Sequence, residues 1–181
     1  MSNLVIQAIG VLALLIYLVS YQLRDGRQMI LCRTLADAVN IGHYLLLGAF
    51  SGCGTLVICV LNGLICGNKA HAWAQWKGWK WLMSLALVII CIATRQGSHP
   101  WLTSACTLIS ILGVVWTQWS GKGWVMRLGK VLVAGPFWII YCIFFGSISG
   151  IINECLGMAS VIVPLVRYGC SDEKTSDLKE K

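Results

Sequence analysis

The amino-acid sequence predicts an all-α integral membrane protein with about seven transmembrane helices, and three observations carry that prediction. Apolar residues make up 57% of the 181-residue chain and charged residues only 12%. A soluble domain carries roughly 45–50% and about 25%. The mean hydropathy is +0.76. The apolar residues fall in runs near the ~20 residues that cross a bilayer as a helix, separated by short polar loops. Lipid accepts this much apolar surface, whereas a soluble fold of the same size has no interior large enough to hide it. Helices are expected throughout, because a chain in lipid must satisfy its own backbone N–H and C=O groups. Seven spans leave no room for a separate catalytic domain.

The first span runs from about Asn3 to Gln22. No basic residue precedes it and no small-x-small cleavage site follows it, so it reads as a retained span rather than a secretory signal. The second runs from about Met29 to Gly48 and the third from about Cys53 to Asn68. The fourth covers Trp79 to Thr94, the fifth Trp101 to Trp119, the sixth Arg127 to Phe145 and the seventh Ile148 to Val166. Residues 1–169 form one transmembrane domain, and the polar, mixed-charge tail 170–181 is expected to be disordered and cytoplasmic.

Charge placement predicts orientation. Arg24, Arg27, Lys69, Lys77, Lys80, Lys122, Arg127, Lys130, Arg167, Lys174, Lys179 and Lys181 fall on one side of the seven spans. Arg33 lies one turn into the second span from that side, and only Arg95 lies opposite. Basic residues gather in cytoplasmic loops, so the N-terminus is expected outside and the C-terminus in the cytoplasm. The net charge of +7 is therefore a membrane-topology signal rather than a nucleic-acid face. The stretch Ala70–Trp81, in which four tryptophans alternate with lysines, suits an interfacial belt of indole rings and snorkelling lysines. Seven of the nine cysteines lie in apolar runs, where Cys acts as a small hydrophobe. There is no CxxC, and neither metal nor cofactor is expected.

The ends of the second and sixth spans can be superimposed. His43–Gly52 overlays Tyr141–Gly150 at an offset of 98 residues, each with an apolar run and then Gly-x-x-x-Gly. This suggests two parallel three-helix repeats, 3–68 and 101–166, joined by a linking helix at 79–94. Such an arrangement is a known transporter plan. Gly-x-x-x-Gly also occurs in membrane helices simply because it allows close packing.

With Arg24-Asp25 after the first span, His43 with Leu46-Leu47-Gly48, and Gly146-Ser147-Ile148-x-Gly150-x-x-x-Glu154, the chain resembles the YgjV family of bacterial inner-membrane proteins over nearly its whole length. That resemblance implies a bacterial inner-membrane location and no settled activity. In plan the family is similar to the SWEET, PQ-loop and nicotinamide riboside transporters, which share a three-one-three layout. The sequence departs from the PQ-loop pattern: it has no Pro-Gln pair, and only Pro136 and Pro164 lie inside spans. This puts a SWEET-type hinge and a sugar substrate in doubt.

Polar groups inside a span are costly and are functional candidates by default. Arg33, Asp37, Asn40 and Tyr44 recur at i, i+4, i+7 and i+11 and share one stripe of the second span, with His43 close by. The stripe either holds an Arg33–Asp37 pair near the cytoplasmic mouth or lines a permeation path. Asn153 and Glu154 lie about a turn inside the seventh span. Glu154 either trades a proton with a passing solute or reaches water or His43. Asn62 and Gln7 either line the path or bond a neighbouring helix. Pro136, after Gly135, removes a backbone hydrogen bond from the sixth span and is the hinge candidate. Trp138 and Tyr141 follow it and are further lining candidates.

No Gly-x-Ser-x-Gly, His-Glu-x-x-His or phosphate-binding loop occurs, so no catalytic residue is assigned and the chain is not expected to be an enzyme. The leading expectation is a transporter of a small polar or charged solute, with its site between the two repeats. The alternative is a non-transporting inner-membrane subunit or assembly factor, for which a collapsed centre without a polar cavity is expected. Partners are the bilayer, the solute and, in principle, further copies of the chain in an oligomer.

Overall fold

A computed structural model describes residues 3–46, 50–94, 100–144 and 148–168. Among these residues the chain forms seven helices and no strand. They are α1 (Asn3–Gln22), α2 (Gly26–Leu46), α3 (Phe50–Gly67), α4 (Gly78–Ala93), α5 (Pro100–Trp119), α6 (Gly123–Phe144) and α7 (Ile148–Tyr168). The expected spans correspond to these helices one for one, with boundaries moved by a few residues. The largest change is at the start of α6, at Gly123 rather than Arg127. The tail 170–181 and Arg95 lie outside the described residues.

Composition alone marks α5 and α6 as long and apolar enough to cross a membrane. Their 20 and 22 residues span about 30–33 Å at a rise of roughly 1.5 Å per residue. In α2 the polar residues Arg33, Asp37 and Asn40 lower the apolar average. The chain hides these and shows its apolar side chains outward: Val11, Leu15 and Val19 on α1, Leu85 and Ile89 on α4, and Ile152 and Val163 on α7 are all more than half exposed. Asp37, Asn62, Gln118, Arg127 and Lys130 are buried instead. This inversion is what an apolar solvent demands.

Helix α2 packs against α1 and α3, and α6 against α5 and α7. The two groups meet where α1 touches α7 and where α3 touches α5, while α4 packs on α3 and α5. One apolar core lies among α3, α4 and α5 around Ile58, Leu87 and Val115. A second gathers Tyr21, Met29, Cys66, Met126 and Val161. At the basic end the starts of α2 and α6 nearly touch. A Cβ on Gly26 would sit 2.2 Å from the Gly121 carbonyl oxygen, so only glycine fits. Gly121 itself turns the chain at φ +68°, a conformation glycine adopts without steric cost.

The aromatic stretch after α3 forms a short 3₁₀ turn, Ala72–Gln75, before α4. Trp73, Trp76 and Trp81 are exposed, and Trp79 Nε1 donates to the Trp73 carbonyl at 2.9 Å. Lys80 lies 3.3 Å from the centroid of the Trp116 ring. Outward indoles paired with lysines suit the interfacial layer.

Candidate functional site

The polar stripe of α2 faces inward. Arg33, Asp37 and Asn40 all line a cavity of about 110 Å³ enclosed by α1, α2, α3, α5, α6 and α7. That volume is well above the roughly 10–15 Å³ needed for one water. On the α2 side the two charges are held by α1. Tyr17 donates its hydroxyl to Asp37 Oδ1, and Arg33 Nη1 donates to the Tyr21 hydroxyl at 3.1 Å. The Arg33 guanidinium also lies 5.9 Å from the centroids of both the Tyr17 and Tyr21 rings, within the ~6 Å range of a cation–π contact. Tyr17 and Tyr21 are four residues apart, so the helical repeat puts both rings on the face of α1 that meets α2.

On the other side Lys130 of α6 donates to Glu154 of α7, with Nζ–Oε2 at 2.5 Å. Each side chain is nearly buried, and their helices both line the cavity. Three atoms of lining residues have no hydrogen-bond partner among the described residues: Arg33 Nε, Asp37 Oδ2 and Asn153 Oδ1. Buried polar atoms without a partner are rare, and each asks for an explanation.

Pro136 carries no N–H, so the Leu132 carbonyl loses its regular partner. The helix accommodates this with a π-helical segment, Lys130–Ala134, in which the Gly135 N–H bonds back to the Lys130 carbonyl. Ser110 of α5 donates to the Ala134 carbonyl at 2.8 Å, adding support from outside the helix. The sequence pointed to a hinge at Pro136, and the structure has a π turn immediately before it. Such a turn inserts one residue into a helix and recurs at functional sites.

Several sequence candidates meet at this cavity and several do not. Trp138, Asn153 and Glu154 line it with the α2 residues. Tyr141 stacks beside Trp138 at 5.2 Å between ring centroids and is not part of the lining. Asn62 is a helix tie: its Nδ2 donates to Gln118 Oε1 at 2.5 Å, and Trp119 Nε1 donates to its Oδ1 at 2.9 Å. His43 packs on α1, where a Cβ on Gly10 would lie 2.9 Å from its Cε1. Glu154, for which water or His43 was expected as partner, is held by Lys130. The side chains of Tyr44 and Gln7 lie outside the described residues.

Two basic residues placed just into the sixth span and counted with the charges of the basic side turn inward. Lys130 enters the cavity wall, and Arg127 donates to the Tyr21 and Leu23 carbonyls at the end of α1, at 3.3 and 2.5 Å. Lys130 follows Lys122 and Arg127 and lies only a turn into the sixth span, so its sequence context reads as one more charge of the basic side. Tyr17 and Tyr21 were also not singled out; their i, i+4 spacing in an otherwise aliphatic span was the available signal.

The profile of the Imp-YgjV family, described as a bacterial inner membrane protein, matches residues 4–171. No curated protein and no solved structure matches the chain.

Proposed function

The chain belongs to the Imp-YgjV family of bacterial inner membrane proteins, and from that premise we propose that it is a carrier of a small polar solute, built as two parallel three-helix repeats around the central cavity. The observation that carries this reading is a numerical register. Helices α1 and α5 start and end 97 residues apart, as do the starts of α2 and α6; after the π segment the spacing becomes 98, from Phe50 to Ile148. One residue inserted by a π turn is what changes 97 to 98.

The cavity lining obeys the same register. Up to the first residue of the π turn, Leu14 corresponds to Ile111, Tyr17 to Val114 and Arg33 to Lys130, and all six line the cavity. After it, Asn40 corresponds to Trp138, Leu56 to Glu154 and Cys59 to Gly157, and these six line it too. Buried Met29 and Met126 correspond in the same way, as do the glycines that meet at the basic end, Gly26 and Gly123. The contacts between the groups exchange under this relation, because α1 against α7 becomes α5 against α3. A pseudo-two-fold axis through a polar cavity suits alternating access, in which one repeat rocks against the other around a fixed site.

The polar cavity also weighs against a non-transporting subunit, for which a collapsed centre is expected. The charged groups at the cavity are held in place, Lys130 by Glu154 and Asp37 and Arg33 by Tyr17 and Tyr21, which favours a binding site of a carrier over an enzyme. The orientation proposed is N-terminus outside and C-terminus cytoplasmic.

The test is access to the cavity from both sides. In a variant whose nine cysteines are replaced, Asn40→Cys is treated with a small charged thiol reagent added to either face of sealed vesicles. Labelling from each face is expected. Labelling from neither, or from one only under every condition, would overturn the carrier reading.

A further inference from the structure

The chemistry of the cavity narrows its ligand, and this inference rests on the carrier reading above. Four formal charges line the cavity: Arg33 and Lys130 against Asp37 and Glu154, summing to zero. An entering anion or cation would add an uncompensated charge to a region of low dielectric, which is costly. An apolar solute would leave the unpartnered atoms unmet.

Those atoms have a specific character. Arg33 Nε is a cationic donor, Asp37 Oδ2 an anionic acceptor and Asn153 Oδ1 a neutral acceptor. Arg33 and Asp37 are one helical turn apart on α2, so the donor and the first acceptor sit on the same face. All three atoms are buried, and the two on charged groups, Arg33 Nε and Asp37 Oδ2, are the costlier to leave without a partner. On the other side Lys130 and Glu154 already satisfy each other at 2.5 Å, and so ask for no further charge.

We propose that the ligand is a small zwitterion with ammonium N–H donors, of the free amino-acid class. Its carboxylate accepts from Arg33 Nε, and its ammonium group donates to Asp37 Oδ2 and Asn153 Oδ1. Both ends then make charge-assisted hydrogen bonds, the stronger kind, and the net charge of the site is unchanged. The volume of about 110 Å³ restricts the side chain to a small one, with Trp138 and Leu56 as its apolar walls.

Thermal unfolding of the purified full-length protein tests this. The probes are glycine and alanine, set against N-acetylalanine (an anion), alaninamide (a cation), glycine betaine (a zwitterion without N–H) and glycerol. A ligand that binds the native state raises the unfolding temperature in proportion to its occupancy. Glycine and alanine are expected to raise it by several degrees with saturation, and the other four are not. Asn153→Ala is expected to weaken alanine binding about tenfold, the loss of one hydrogen bond, and folded Asp37→Asn to abolish it. No shift with glycine or alanine in the wild-type protein, or an equal shift with N-acetylalanine or glycerol, would overturn the proposal. Uptake into vesicles separates it from the carrier reading. Alanine binding without uptake overturns the carrier and keeps the zwitterion site. Uptake of another solute class without alanine binding keeps the carrier and overturns the zwitterion site.

Discussion

Lys130 and Glu154 illustrate how a charge survives inside a protein that faces lipid. Each is nearly buried, and each is neutralised by the other at 2.5 Å. Removing one partner of such a pair leaves an uncompensated charge and costs about 3–5 kcal/mol, whereas replacing both with apolar residues of similar size is close to neutral. Lys130→Met and Glu154→Leu are therefore each expected to lower the unfolding midpoint strongly, and the double variant to recover most of the loss. Additive destabilisation in the double variant would contradict the pairing. At this scale the site was partly legible: Arg33, Asp37 and Asn40 stand out because polar groups at helical spacing inside an apolar run must face inward. Lys130 did not, because a lysine one turn into a span after two other basic residues looks like a charge that reaches back to the basic side. Tyr17 and Tyr21 did not, because tyrosine near the end of a span ordinarily reads as an interfacial anchor whose hydroxyl reaches the headgroup layer.

The helices themselves were readable from apolar run length, since lipid leaves the backbone no alternative. What run length does not encode is how one helix meets another. The approach of α2 to α6 depends on Gly26, where an added Cβ meets a backbone oxygen that cannot move aside. Gly26→Ala is expected to destabilise by about 1–3 kcal/mol, the usual cost of overpacking. Gly42→Ala, where an added Cβ meets nothing within 4 Å, is expected to be neutral within about 0.5 kcal/mol or slightly stabilising. Thermal unfolding of the two variants side by side separates a specific close approach from a general effect of glycine in helices. The π segment was likewise illegible. Proline predicts a lost hydrogen bond, while the backbone's choice between a kink and an inserted residue depends on neighbours such as Ser110, which bonds the Ala134 carbonyl from α5.

The molecule as a whole is organised by its solvent: apolar side chains outside, charges within, tryptophan and lysine at one end. With Arg127 and Lys130 turned to the interior, Arg24, Arg27, Lys77, Lys122 and Arg167 remain exposed on the basic end, so the bias that sets topology survives. A reporter active only in the cytoplasm, fused to the C-terminus, is expected to be active, and one active only outside to be silent; the reverse result would invert the orientation. The two-fold relation proposed above is only partly visible in the sequence, where a single offset of 98 matches the ends of the second and sixth spans. Up to the first residue of the π turn the spacing is 97, so the proposed correspondence of Arg33 with Lys130 is hidden until the turn is located.

The central claim is that the cavity carries a solute across the membrane. Its most direct test is uptake of radiolabelled alanine, within a panel of labelled small polar solutes, into liposomes containing the purified protein, with folded Asp37→Asn as the control. Saturable uptake by the wild-type protein, lost in the variant, is the predicted result. Uptake no greater than in empty liposomes for every solute, from protein shown to be folded, would contradict it.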